Sequence, residues 1–202
     1  MNDCAHTWEK AVNHHHHPLI STHSEGRADM GQAGSSSCPQ VILMGLDSSG
    51  KSTLLARLLT GKVVKTSPTI GFNVGTLNLD KKTSLTLWDV GGQKRMRPNW
   101  RLYLDNCKAL VFVVDSSKPA RMAEAKKALK MVLSDSKLEG VPLMVLANKK
   151  DLPNSLKIRE VSTLLDLESY KDRQWEIQAC SAVQGLGLQQ AFLSVHKMIK
   201  KS

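Results

Sequence analysis

The sequence predicts an α/β fold: a mostly parallel, six-stranded sheet with helices on both faces. Three observations lead there. From residue 40 onward, short apolar runs alternate with segments of helical apolar spacing, the order left by strands that return to one sheet through helical crossovers. Several of the runs are continuous rather than alternating, as strands buried on both faces require. A glycine-rich loop separates the first run from the first helical segment.

Residues 1–39 are expected to be a flexible extension, leaving 40–202 as a single domain. The extension holds the His14–His17 run, Gly26, Gly31, Gly34 and the Ser35–Ser37 tract, without helical or alternating period. Val41–Met44 then reads as a buried strand that stops at Gly45. Lys51–Leu59 repeats Leu54, Leu55, Leu58 and Leu59 at helical spacing. Asn73–Leu79 and Leu85–Asp89 alternate as a hairpin turning at Asp80, Lys81 and Lys82. Leu110–Val114 and Leu143–Ala147 are further buried strands, with an amphipathic helix over Ala120–Leu133 between them. Ile158–Leu165 and Leu188–Ile199 read as helices that flank a last strand, Trp175–Ala179. In such sheets ligands gather at the carboxyl ends of strands.

Composition narrows the function classes. A chain of 202 residues, 41% hydrophobic and 23% charged, suits one globular domain plus an appendage. No apolar run approaches the roughly 18–20 residues of a membrane span, and the start lacks a secretory h-region, so a cytoplasmic protein is expected. Cys4, Cys38, Cys107 and Cys180 show no metal-ligand spacing and read as free thiols. Cys107 and Cys180 are candidates for the core, and Cys38 for acylation. The net charge is +10, yet residues 1–40 hold two basic and four acidic side chains, so the excess lies wholly in the domain. Its clusters are Lys94, Arg95, Arg97 and Arg101; Lys126, Lys127 and Lys130; and Lys197, Lys200 and Lys201. They read as a solvated surface or as attraction to anionic lipid. No nucleic-acid reading motif accompanies them.

Gly45-Leu46-Asp47-Ser48-Ser49-Gly50-Lys51-Ser52 is a full G-x-x-x-x-G-K-[ST] sequence between a strand and a helix, the context of a P-loop NTPase. Its four fixed positions arise by chance in about one chain of this length in a hundred, so a mere glycine-rich turn is the weaker reading. Backbone N–H groups of the loop and the helix N-terminus suit phosphates. Lys51 suits the β- and γ-phosphates, and the Ser52 hydroxyl, followed by Thr53, suits Mg²⁺. Asn148-Lys149-Lys150-Asp151 follows a strand and fits N-K-x-D. The Asp151 carboxylate can accept from both N1–H and the exocyclic amine of guanine, a pair that adenine lacks. Asn148 would tether neighbouring loops, and the Lys149 stem would lie along the base. After the last strand, Ser181 and Ala182 place a backbone N–H for guanine O6, although Val183 stands where a lysine often follows. Trp88-Asp89-Val90-Gly91-Gly92-Gln93 ends the hairpin. There Asp89 suits water-mediated Mg²⁺, the Gly92 N–H suits a γ-phosphate, and Gln93 can orient an attacking water.

These stretches, with Pro68-Thr69-Ile70-Gly71-Phe72-Asn73-Val74 and Asn148 to Pro153, resemble the ADP-ribosylation factor (Arf) and Arf-like family of small GTPases. The likeness runs from about Gln40 to Lys200, and the polar start with Ser48 to Thr53 looks closest to its Arf-like 11 and 14 branch. It implies a G domain that binds GTP or GDP with Mg²⁺, hydrolyses GTP slowly and acts as a switch in membrane trafficking. It implies that Thr69 is the switch I threonine, with metal ligands Ser52, Thr69 and Asp89. Phe72, Trp88 and Tyr103 would form the effector patch, although core packing serves such aromatics equally. Asp47 stands where many related GTPases have glycine, which is usual for this branch. Exchange factor, GTPase-activating protein and effector are the implied partners of a monomer that makes no nucleic-acid contact and can touch membranes peripherally. Arg95, Arg97 and Arg101 are read as surface or partner-binding residues, none of them a cis arginine finger. Met30-Gly31-Gln32-Ala33-Gly34-Ser35 fits the N-myristoylation pattern should translation start at Met30, with 1–29 an alternative extension. The stretch from Gly31 to Gln40 lacks the apolar stripe of an inserting helix. A GTP-binding scaffold with little hydrolysis is the alternative reading.

Overall fold

The computed structural model describes residues 38–202. The His14–His17 run, Cys4 and the Met30–Ser35 pattern lie outside the described residues. Six strands form one sheet in the order β2-β3-β1-β4-β5-β6. They are β1 (Gln40–Met44), β2 (Phe72–Asn78), β3 (Ser84–Val90), β4 (Cys107–Asp115), β5 (Leu143–Asn148) and β6 (Trp175–Ala179). Only the β2–β3 hairpin is antiparallel; β1 pairs in parallel with β3 and β4, and the remaining pairs are parallel too. The six expected strands are all present.

Central position explains the continuous apolar runs. Val41–Met44, Leu110–Val113 and Leu143–Ala147 are buried throughout, because helices cover both sides of β1, β4 and β5. On one face lie α2 (Met122–Leu133), α3 (Ile158–Leu164) and a 3₁₀ stretch, Lys94–Tyr103, over Ile42, Leu110, Phe112 and Val145. On the other lie α1 (Lys51–Thr60) and α4 (Leu188–Lys201) over Val41, Val111 and Leu146. Each such aliphatic side chain stabilises the fold by roughly 1.5–3 kcal/mol relative to exposure. Helix α1 stops at Gly61, whose N–H donates to Arg57 O at 2.9 Å in a left-handed turn. The sequence pattern gave no element over Lys94–Tyr103. Four of its ten residues are charged, Pro98 interrupts it, and only Arg97 and Trp100 among them are buried.

The strand order reverses about β1, whose neighbours are β3 on one side and β4 on the other. A crevice opens at the carboxyl end of such a strand, and all the motif residues lie near it.

Candidate functional site

One cavity of about 490 Å³ occupies that crevice. The loop after β1 and the start of α1 contribute Asp47, Ser48, Gly50, Lys51, Ser52 and Thr53 to its wall. Thr69 lines it from the segment before β2, and Gly92 and Gln93 from the segment after β3. Asn148, Lys149, Asp151 and Ala182 line it from the ends of β5 and β6. Gly45, Ser49, Asp89 and Ser181 stand behind this wall and hold it.

The loop curls around Lys51. Its Nζ donates to Gly45 O at 3.1 Å, Leu46 O at 2.9 Å and Ser49 Oγ at 3.4 Å. Burial drives the Lys51 ammonium down to about 8, with Asp89 and then Asp47 opposing the shift. An anionic ligand would restore the charged form. Gly50 is required by geometry: its φ is +97°, and a Cβ would stand 2.3 Å from Asn148 Nδ2.

Beside Lys51, three side chains from three segments converge. Ser52 Oγ donates to Asp89 Oδ2 at 2.5 Å and lies 2.7 Å from Thr69 Oγ1. Asn73 Nδ2 also donates to Oδ2, at 3.0 Å. Asp89 is fully buried, yet its Oδ1 has no partner. A buried carboxylate oxygen left unsatisfied is costly. Two hydroxyls and a carboxylate are hard oxygen donors, so the set fits Mg²⁺ completed by phosphate and water.

At the other motif, Asn148 joins two loops: its Nδ2 donates to Ser49 O and its Oδ1 accepts from Ala182 N, each at 3.0 Å. Both backbone N–H groups of the Ser181-Ala182 pair, one of which was expected to meet a base, are engaged: Ser181 N–H donates to Leu186 O at 3.0 Å and Ala182 N–H to Asn148 Oδ1. Ser181 Oγ donates to Asp151 Oδ1 at 2.7 Å, fixing the carboxylate. Lys149 is pinned by Ser48 O at 2.7 Å and Asp115 Oδ2 at 2.9 Å, which lays its stem across the cavity from β5 to the phosphate loop.

Arg97 departs from the sequence reading. It is buried rather than a surface residue, with Nη1 2.8 Å from Glu124 Oε1 and Nη2 3.3 Å from Asp47 Oδ1. Arg121 also holds Asp47, through Nη2 to Oδ1 at 2.9 Å and Nη1 to the backbone O at 2.8 Å. The Arg121 hydrogen bond holds the Asp47 carboxyl below its ordinary range, and the Arg97 bond does the same for Glu124. Asp47 thus anchors two arginines in this structure. Arg95 and Arg101 are exposed, as expected. Thr66 and Ser67 also line the cavity but carry no motif signal. The Asp47 cluster spans 50 to 74 positions of sequence, beyond any local pattern.

Phe72 stacks against Trp88 at 5.0 Å and Tyr103 at 5.7 Å between ring centroids. Phe72 is 45% exposed, while Trp88 and Tyr103 pack against the core beneath. Trp88 and Tyr103 thus take part in core packing, and Phe72 is left half-open because β2 is an edge strand over a packed layer.

A family model described as the ADP-ribosylation factor family matches residues 30–199. The chain belongs to the Arf family. This Arf-family protein is 43% identical over 161 residues to ADP-ribosylation factor-like protein 3 of Chlamydomonas reinhardtii, covering 80% of this chain and 90% of that one. It is 46% identical over 155 residues to ADP-ribosylation factor-like protein 1 of Saccharomyces cerevisiae, covering 77% and 84%. Among solved structures, the Arl6 BBS3 small GTPase of Trypanosoma brucei with bound GppNp matches at a TM-score of 0.73 and 30% identity, over 82% of this chain and 99% of that one. Arf-family membership makes the chain a GTP-binding switch and a GTP hydrolase, with GTP or GDP and Mg²⁺ as the family's ligands.

Proposed function

We propose that this Arf-family protein hydrolyses GTP slowly and uses the nucleotide to order a docking surface for effectors in membrane trafficking. The observation that supports it is a single cavity lined by Lys51 and Ser52 from one motif and by Asp151 from the other. In this reading the loop amides from Ser48 to Thr53 and the Lys51 ammonium hold the phosphates, while the Asp47 N–H is held by Gly92 O. Asp151, steadied by Ser181, accepts from the guanine edge, with Asn148, Lys149 and Ala182 framing the base. Ser52, Thr69 and Asp89 would hold Mg²⁺, which would supply neutralisation of charge on the β- and γ-phosphates. Gln93 orients the attacking water, and Thr69 and Gly92 respond to the γ-phosphate, ordering the segments that carry Phe72, Trp88 and Tyr103. A slow rate is supported by Arg97, whose three nitrogens are all engaged, so that the activating protein would supply an arginine.

Peripheral membrane contact belongs to the same proposal. Lys126, Lys127 and Lys130 are exposed on α2, while Lys200 and Lys201 are exposed on α4 across the sheet. A flat anionic surface therefore meets one cluster at a time. An acyl chain on Gly31, which requires translation to start at Met30, would be the second signal that stable anchoring needs. The protein is proposed to act as a monomer.

The test is calorimetry with purified protein. GTP and GDP should bind at least a hundredfold more tightly than ATP and ADP, and Asp151→Ala should abolish that preference. Equal affinity for guanosine and adenosine nucleotides would sink the proposal.

A further inference from the structure

The Lys94–Tyr103 stretch turns back on the segment after β3 and grips two successive carbonyls. Trp100 is buried, and its Nε1–H donates to Gly91 O at 2.9 Å. Gly92 O accepts from Arg97 Nε at 2.9 Å and from Asp47 N at 3.1 Å. The Gly91–Gly92 and Gly92–Gln93 peptides are both trans. A trans peptide is planar, and its N–H points opposite to its C=O. Fixing Gly91 O from the core side therefore aims the Gly92 N–H away from Trp100. Fixing Gly92 O likewise aims the Gln93 N–H away from Arg97. Gly92 and Gln93 both line the cavity, whereas Trp100 and Arg97 are buried behind them.

Arg97 is itself held rigid. Glu124 of α2 takes one terminal nitrogen and Asp47 of the phosphate loop takes the other, while Arg121 secures Asp47 from a further direction. A planar guanidinium with all three nitrogens engaged has one orientation. The consequence is a mechanical link: α2, the phosphate loop and the Gly91–Gln93 peptides keep fixed relative positions.

We propose that Trp100 and Arg97 are positioning residues for the γ-phosphate, orienting the two peptides around Gly92 so that their N–H groups face a third phosphate in the cavity. They touch no nucleotide and act through Gly92 and Gln93. The inference rests on the nucleotide-binding reading above. In this reading these N–H groups serve the third phosphate alone, so discrimination between GTP and GDP is where the two side chains act.

Trp100→Phe keeps a buried ring but removes the indole donor, and Arg97→Lys keeps the charge but offers a single compact donor group. Affinities for GDP and for a non-hydrolysable GTP analogue, measured by calorimetry with Mg²⁺, give the readout. In each variant the triphosphate affinity should fall about tenfold, a loss of ~1.4 kcal/mol, while GDP affinity stays within about twofold. Single-turnover hydrolysis at saturating GTP should slow as well. An equal fall for both nucleotides marks a merely structural role and overturns the proposal, as does an unchanged ratio. Should Trp100→Phe unfold, Arg97→Lys carries the same comparison. The wild-type protein separates the two levels of argument. If it fails to prefer guanosine nucleotides, the functional reading falls; if it prefers them and the variants keep its GTP-to-GDP ratio, only the positioning role falls.

Discussion

Replacing Gly92 by alanine should lock this protein out of its triphosphate state while sparing the diphosphate state. A Cβ built on Gly92 would lie 2.2 Å from Gly45 O, 2.6 Å from Leu46 C and 2.7 Å from Asp47 N. All three are backbone atoms of the phosphate loop, so no side-chain rotation relieves the clash. Restoring an ordinary contact of 3.4 Å requires the two segments to separate by about 1.2 Å. That displacement breaks the Asp47 N–H bond to Gly92 O, now 3.1 Å, and the Arg97 Nε–H bond to the same oxygen, now 2.9 Å. A neutral hydrogen bond contributes about 0.5–1.5 kcal/mol net and one from a charged donor about 1.5–3, so the closed arrangement loses roughly 2–4 kcal/mol. At ~1.4 kcal/mol per tenfold, Gly92→Ala should weaken a non-hydrolysable GTP analogue by about thirtyfold to several hundredfold. GDP affinity should change by less than about threefold, since no diphosphate contact is placed on Gly92. Isothermal titration of both nucleotides measures this. A variant that binds the GTP analogue as the wild type does would refute the close approach of the two segments as a requirement of triphosphate binding.

Gln93→Leu should retain GTP binding but lose activator-stimulated hydrolysis by about a hundredfold or more, the cost of a misplaced reactant; phosphate release under single-turnover conditions reads it, and an unchanged rate removes Gln93 from the mechanism. Burial pushes the Cys107 and Cys180 thiols up to about 12, so at pH 8 neither should react with an alkylating agent until the protein unfolds, as peptide mass mapping would reveal. Their labelling in the native state would contradict the packing of β4 and of the segment after β6. Charge reversal of Lys126, Lys127 and Lys130, compared with that of Lys197, Lys200 and Lys201, should weaken sedimentation with anionic vesicles for one set far more than for the other, because the helices lie on opposite faces of the sheet. Equal losses would argue for non-specific attraction.

The strands were legible because their environment leaves a local trace. Val41–Met44 and Leu143–Ala147 are uniformly apolar, and both are covered on two sides. The phosphate loop and Asn148–Asp151 were legible because their geometry is built within single stretches of eight and four residues. The hairpin was legible from alternation, since β2 is an edge strand with one face open. Arg97 was misread as a surface residue because charge is a sound guide to exposure only when no partner waits inside. Its partners Asp47 and Glu124 lie 50 and 27 positions away in sequence.

What the sequence determined by itself is therefore the succession of strands and helices along the chain, the phosphate loop, and the kinds of groups offered to phosphate, metal and base. Each follows from spacing within one segment, where chain connectivity alone keeps the atoms close. The tertiary structure decided what those groups face: the hydroxyls of Ser52 and Thr69 meeting at Asp89, Asn148 spanning two loops, and Trp100 and Arg97 gripping Gly91 and Gly92 from behind. Those contacts depend on how β1, β3 and β5 align side by side and on how the 3₁₀ stretch settles against α2. Alignment is set by packing across the whole domain, and no single stretch of residues contains that information.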